Sequence, residues 1–582
     1  MTTWTQAINP FGNLGLSALV AAIPIIFMFI ALGAIRMKGH FAGLTAMALA
    51  ILVAIAAFGM PAQYALLSTL YGAMFGLMPI GWIIIAAVFL YNITVKTGQF
   101  EIIKDSIAAI TDDRRLQALL IAFSFGAFIE GAAGFGTPVA ITAAMLVGLG
   151  FNPLYSAGIC LIANTAPVAW GAIGIPIITA GAVTGIDAMA ISQMTGRQLP
   201  FLSVFVPFWL VFIMAGWKGA KEIMPAILVS GLSFSLMQWF SSNYLSPMLP
   251  DIMASLFSII CLVLFLRTWK PKNTWRFAEE PKATLAVRRH SPGIILKAWS
   301  PFIVLTILIA DWGLNPVKAL LNTVNIKIIF SGLHKMILVG GKPLDVVYNF
   351  NWLSATGTSI LIAAIITAFI LRVRPGLFLQ ILGGTLKNLR FALITVAAVL
   401  GLAYVANWSG MTTTLGKAFT VTGAAFPFVS AFLGWLGVFL TGSDTSSNAL
   451  FGNMQKVTAE SMGINPVLPV ATNGAGGVAG KMISPQSIAV GCASTGLIGR
   501  EGDLFRFTLP HSLFFTTLVG LIALAQAYIF PWMIPAAVKA AAASAGATQG
   551  GAQILVGTGM FILVLAVCTY AQKNSDDKSL KA

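Results

Sequence analysis

Long apolar runs, separated by short polar stretches, recur along the whole chain. They lie near residues 15–35, 42–59, 72–93, 201–217, 224–240, 252–267, 294–311, 353–371, 391–407, 512–533 and 552–570. Most approach the roughly 20 residues a helix needs to cross a bilayer. Their apolar positions are continuous rather than alternating, which predicts helices and argues against a β-barrel. Two further regions, 117–180 and 425–490, are also apolar but are punctuated by Gly, Pro, Asn and isolated charges. Irregular backbone at membrane depth survives only where protein or a water-filled cavity surrounds it.

Each punctuated region has too much apolar length for one crossing and the wrong parity for two. A hairpin that enters and returns, followed by one interrupted crossing, satisfies both. The hairpins are expected near 117–150 and 425–460, and the interrupted crossings near 156–180 and 466–490. The regions also resemble each other. Thr97-Gly98 matches Ser409-Gly410, and Phe128 and Gly131 match Phe439 and Gly442. GFNPL at 150–154 matches GINPV at 463–467, and Asn164, Gly171 and Pro176 match Asn473, Gly480 and Pro485. The order is kept at a nearly fixed offset, as in an internal repeat.

Composition changes the picture little. The 582 residues are 58% hydrophobic and 9% charged, against about 25% charged in soluble domains. The net charge of +16 reflects basic loops that set topology rather than nucleic-acid binding. Arg36, Lys38 and His40 follow the first run. Lys96, Lys104, Arg114 and Arg115 lie in 94–116, a second basic cluster runs from Arg267 through Lys282 to Lys297, and Arg372, Arg374, Lys387 and Arg390 lie in 372–390. These loops are expected inside, and 60–71, which has no basic residue, outside. The N-terminus then lies outside and the tail with Lys573, Lys578 and Lys581 inside. The two irregular regions cross in opposite directions, which makes the repeat inverted, a common transporter architecture.

The expected fold is an all-α polytopic membrane protein: an inverted-repeat secondary transporter with two re-entrant hairpins and two broken helices. Its parts are N-terminal spans at 1–93, a first repeat at 94–199, central spans at 200–312, an extracytoplasmic loop at 313–352, further spans at 353–408, a second repeat at 409–500 and C-terminal helices with a tail at 501–582. Residues 98–112 place Phe100, Ile103, Ile107 and Ile110 on one face, predicting an amphipathic connector. The mildly apolar IKIIFSGLHKMILVGG stretch suggests a surface-lying helix or a structural cap, and 536–551 an exposed linker. The first twelve residues carry no Lys or Arg, so a retained first span is expected rather than a cleaved signal. Cys160, Cys261, Cys492 and Cys568 lack metal-type spacing and are expected as packed thiols.

The chemistry concentrates in the irregular regions. The first hairpin tip, FIEGAAGFGTP, carries Glu130, Gly134, Gly136 and Thr137. The second, TGSDTSSN, carries Ser443, Asp444, Thr445, Ser446, Ser447 and Asn448. Glycine turns expose backbone amides, and a helix restarting after them offers its positive end to an anion. Interhelical packing explains a single buried serine equally well. Six consecutive polar residues need partners or water, which favours a site. The crossing breaks add Asn164, Thr165 and Trp170 in one copy, and Asn473, Lys481, Ser484 and Gln486 in the other. The anion-binding candidates are Gly134, Gly136, Thr137, Asn164, Thr165, Ser443, Thr445, Ser446, Ser447, Asn448, Asn473, Lys481 and Ser484. A charge at membrane centre costs about 2.5–3.5 kcal/mol on insertion scales, so Glu130, Asp444 and Lys481 demand a role. Lys481 is expected to pair with a substrate carboxylate or with Asp444. Glu130 and Asp444 are the candidates for proton coupling, with bracing of the hairpin as the alternative for Glu130. Trp170 and His511 are expected to be structural. There is no HExxH, P-loop or CxxC pair, so a secondary carrier is expected rather than an enzyme or an ATP-driven pump, with no cofactor or metal.

FIEGAAGFGTPVAITAAMLVGLGFNPL, NTAPVAWGAIGIPI, FLTGSDTSSNALF and GKMISPQSIA together resemble the bacterial L-lactate permease family, which includes glycolate permeases. The resemblance runs from WTQAINPFGNLGLSALVA to HSLFF near 511–515. It implies inner-membrane symport of a proton with L-lactate, D-lactate or glycolate, and kinship with anion carriers that have paired re-entrant hairpins and an elevator-like movement. The implied partners are a small monocarboxylate anion, a proton and membrane lipid, with no nucleic acid; a homodimer stays open. A sodium-coupled dicarboxylate carrier or ion exchanger on the same scaffold is the competing expectation.

Overall fold

The computed structural model describes residues 3–35, 37–134, 136–278 and 288–536. The 552–570 span, nearly all of the 536–551 linker, Cys568, Lys282, Arg36 and the tail lysines lie outside the described residues. Among the described residues, ten helices are long and apolar enough to cross a membrane, or up to twelve if each of two bent pairs is one span. The multi-pass helical expectation therefore holds.

Local chemistry explains where the helices depart from straight rods. The first run is two helices bent by 46°, with Pro24 in the first turn of the second, where a proline needs no N–H partner. Ala62–Lys96 runs 35 residues and kinks at Met78, before Pro79, where the hydrogen-bond ladder loses a donor. This helix packs closely on Pro375–Ser409. At Gly72 a Cβ would lie 2.4 Å from the Leu400 carbonyl oxygen, so only glycine permits that approach.

The two punctuated regions fold as helix–turn–helix hairpins. In the first, Arg114–Ala132 turns through Gly134 (φ +59°) and Gly136 (φ +80°) into Thr137–Gly148. In the second, Phe426–Thr441 turns at Gly442 (φ +70°) into Asp444–Ser461. The arms of the second are tied by Ser447, which donates to the Gly434 carbonyl at 3.2 Å, and by Ser430, which donates to Gln455. A broken helix follows each hairpin. Pro153–Ala163 and Val168–Thr184 meet at 64°, and Val467–Lys481 gives way to Pro485–Thr495. Both broken helices start on the repeated Asn-Pro pair. Asn152 Oδ1 accepts from the Leu154 amide at 2.9 Å, an N-cap with proline just inside the helix, and Asn465 Oδ1 accepts from the Val467 amide at 3.0 Å across Pro466.

The connector forms Gln99–Ala108 and buries Phe100, Ile103 and Ile107. At its far end Arg115, fully buried, binds Asp113 at 2.7 and 3.1 Å, Glu222 at 2.9 Å, and the carbonyls of Gly219 and Asn273 at 3.1 Å.

The loop after Pro292–Gly313 differs from the surface-helix expectation. After a short helix at Asn315–Asn322, Ile326–Ile329 pairs antiparallel with Val347–Phe350. Ile337–Val339 turns through Gly340 and Gly341 onto Lys342–Pro343 and pairs in parallel with Trp4–Thr5. Its β-branched Ile and Val residues suit paired strands, and the two positive-φ glycines suit a tight hairpin. The result is a cap, anchored by the Tyr348 hydroxyl donating to the Met78 carbonyl at 2.8 Å. Burial, with Tyr71 nearby, pushes that phenol up to about 12, so it stays a donor at physiological pH.

Candidate functional site

The hairpin tips and crossing breaks converge on one buried ion pair. Lys481, at the end of Val467–Lys481, holds Glu130 Oε1 at 2.7 Å. Asn164, at the end of Pro153–Ala163, donates to Glu130 Oε2 at 3.0 Å. Glu130 is 2% exposed and Lys481 8%, so the pair has little water to replace either partner. Gly171 makes room for the carboxylate, since a Cβ there would lie 2.5 Å from Oε1.

Beside this pair is a cavity of about 360 Å³. Its tip side carries Glu130, Gly134, Thr441, Ser443, Asp444, Thr445, Ser446, Lys481 and Gln486. The broken first crossing adds Gly171, Ala172, Ile175 and Pro176, and the opposite wall carries His40, Phe391 and Thr395. His40 stacks on Phe391 with ring centroids 4.4 Å apart. The Asp444–Ser461 helix presents its N-terminus here, capped by Ser443 accepting from the Ser446 amide at 3.3 Å. An ammonium, hydroxyls and a helix N-terminus favour a small anion.

Residues 17–530 match the family described as L-lactate permease. The chain belongs to the L-lactate permease family. The permease is 56% identical to the L-lactate permease of Bacillus subtilis (strain 168), over 91% of this chain and 100% of that one. It is 54% identical to the glycolate permease GlcA of Escherichia coli (strain K12), over 92% of this chain and 100% of that one. The solved structure of Neisseria gonorrhoeae MtrF aligns over 78% of this chain and 83% of its own, at 15% identity and a TM-score of 0.41. The family is one of permeases, not enzymes.

Of the residues expected from the sequence, Gly134, Ser443, Thr445, Ser446 and Lys481 line the permease's cavity, with Glu130 and Asp444. Asn164 reaches it through Glu130. The others are used in folding the tips. Gly136 is a left-handed N-cap and Thr137 the first residue of the next helix. The Thr165 hydroxyl returns to the Ile162 carbonyl, and Ser447 ties the hairpin arms. Asn473 donates to Asn448 Oδ1 at 2.8 Å and accepts from Gln455 at 2.7 Å. Asn448 also donates to the Pro176 carbonyl at 3.2 Å, joining the second hairpin to the first broken helix. Ser484 caps Pro485–Thr495. Trp170 is fully buried and donates to Ser192 at 3.1 Å, and His511 accepts from Trp209 at 3.2 Å, both as structural residues. The expected pairing of Lys481 with Asp444 is replaced by the pairing with Glu130.

Sequence reasoning missed the far wall, because a Phe or Thr in a uniformly apolar helix gives no signal. It also missed Asp251, fully buried with neither carboxylate oxygen hydrogen-bonded. Asp251 lies behind the first tip, where a Cβ on Gly131 would come within 2.7 Å of its own.

Proposed function

We propose that this permease carries L-lactate and related 2-hydroxy monocarboxylates, D-lactate and glycolate, across the bacterial inner membrane together with a proton. The L-lactate and glycolate permeases with which it shares more than half its residues support the substrate class. The observation that carries the coupling is the Glu130–Lys481 pair at the cavity.

Charge conservation links the two cargoes. Empty, the pair is neutral. An anion that takes Lys481 leaves Glu130 as an unpaired buried carboxylate, which is strongly unfavourable. A proton on Glu130 removes that cost and frees Lys481, so anion and proton bind together: the pair becomes singly positive and the anion brings the loaded site back to zero. Each then lowers the cost of the other, as linkage requires. Electroneutral loading also permits accumulation against a negative interior.

The hairpins and broken helices act in this reading as an inverted-repeat pair of re-entrant elements. They carry the site against the wall formed by Gly39–Ala56 and Pro375–Ser409 in an elevator-like movement. The basic loops at 94–116, 267–297 and 372–390 face the cytoplasm by the positive-inside rule, and residues 3–5 with the strand cap face outside.

The test is uptake of radiolabelled L-lactate into proteoliposomes under separately imposed proton and sodium gradients. Uphill uptake driven by an inward proton gradient alone is expected. Uptake that requires Na⁺ and ignores a pH step refutes proton coupling.

A further inference from the structure

The cavity holds one acceptor that the protein leaves unmatched. Asp444 is 4% exposed, and its Oδ1 has no hydrogen-bond partner. Its Oδ2 has only a long 3.5 Å contact from Asn448. Gly477 leaves space for Oδ1, since a Cβ there would lie 2.5 Å from it. Among the described residues lining the cavity, no other has a buried side-chain oxygen or nitrogen without a partner.

Several of the other acceptors lining the cavity are already engaged. Glu130 is held by Lys481 and Asn164. The Thr441 hydroxyl donates to the Gly437 carbonyl at 2.7 Å and accepts from the Ser443 amide at 3.2 Å. The Ser443 hydroxyl accepts from the Ser446 amide. Thr445 and Ser446 can donate to a carboxylate, whereas an ionised aspartate only accepts.

A 2-hydroxy acid presents two groups on adjacent carbons with opposite needs. Its carboxylate needs donors and its hydroxyl needs an acceptor. We propose that Asp444 reads the hydroxyl on the second carbon of the substrate, its carboxylate accepting that hydroxyl while Lys481 holds the substrate carboxylate. The inference rests on the reading of the cavity as a monocarboxylate site, and names within it the residue that separates hydroxy acids from plain carboxylic acids. A site with a buried polar group reserved for a substrate hydroxyl rejects the analogue that lacks it, because the group is then left unpaired.

The test compares L-lactate with propionate, and glycolate with acetate, in proteoliposomes holding wild type, Asp444→Ala or Asp444→Asn. Leaving a buried acceptor unpaired costs about 1–3 kcal/mol, so wild type is expected to prefer each hydroxy acid by roughly 5- to 150-fold. Asp444→Ala is expected to bring the two acids of each pair to within roughly threefold, with propionate uptake retained. Asp444→Asn keeps a carbonyl acceptor and is expected to recover part of the preference. An Asp444→Ala protein that still prefers lactate as wild type does overturns the proposal, as does one in which propionate and lactate uptake fall equally. If Asp444→Ala moves neither acid, thermal shift of the purified variant by each ligand decides. Equal shifts support the proposal, and a larger shift with lactate overturns it. Wild type that takes up none of the four acids refutes the transport reading itself, a result separate from any of these.

Discussion

Replacing Glu130 with Gln fixes the site in the equivalent of its protonated state. The amide keeps the shape of the side chain and an oxygen for Asn164, which sits 3.0 Å from the carboxylate in wild type. It removes the charge that holds Lys481 at 2.7 Å. A hydrogen bond to a charged group contributes about 1.5–3 kcal/mol, and an anion binding to wild type must displace this one. At 1.4 kcal/mol per tenfold, Glu130→Gln should bind L-lactate about 10- to 100-fold more tightly at neutral pH. Wild-type affinity should fall as pH rises, because a proton is taken up with the anion; the variant's should be flat. Titration calorimetry of purified protein at several pH values measures both effects. In proteoliposomes, exchange of internal for external lactate should persist, since it needs no net proton movement, while uphill uptake driven by a pH gradient should disappear. Weaker binding by Glu130→Gln, or a pH dependence unchanged from wild type, would refute the coupling of the ion pair to the anion.

Arg115→Met removes the cation shared by Asp113 and Glu222 and should destabilise by about 3–5 kcal/mol, lowering the melting temperature in detergent; adding Asp113→Leu should restore part of it, and an unchanged melting point for the single variant would count against the cluster. Gly434→Ala puts a Cβ 1.8 Å from the Asn473 carbonyl oxygen, and should cost at least the 1–3 kcal/mol typical of overpacking, seen as loss of folded yield. Gly383→Ala meets nothing within 4 Å and should be neutral or stabilising by up to about 1 kcal/mol. With Cys261 replaced by Ser, Thr445→Cys should react with a small thiol reagent and be protected by lactate, whereas Asn473→Cys, fully buried within the hairpin network, should stay unlabelled. Labelling of both alike would mean that the cavity is not bounded as described.

The parts of the fold that the sequence made legible are those where polar punctuation interrupts an apolar background. Gly134, Gly136 and Gly442 mark both hairpin turns, and the repeated Asn-Pro pairs mark the starts of both broken helices. Glu130, Asp444 and Lys481 stand out for the same reason, since charges in such stretches are costly. Their pairing was not legible, because which carboxylate meets Lys481 depends on how segments 351 residues apart dock. Asn448 and Asn473 look like ligands in the sequence because a polar side chain that supports a hairpin has the same composition as one that binds a substrate. The cap strands were hidden by a stretch whose apolar residues suit a surface helix or a strand, and only pairing partners far along the chain distinguish them. The roles of Gly171, marked only as a repeat position, and of Gly477 could not be read, since each is the space left for a carboxylate on another element.

The strand formed by Trp4–Thr5 has a consequence for how the protein is made. Its partner, Ile337–Leu338, follows roughly 330 residues later, so at about 5–20 residues per second of synthesis the early strand waits on the order of a minute or less for its mate. During that interval the backbone of residues 4–5 is an open edge, and the helices between must insert first. The early strand is thus fastened only across a long stretch of later-made chain, and the cap closes only once more than half of the membrane bundle is in place.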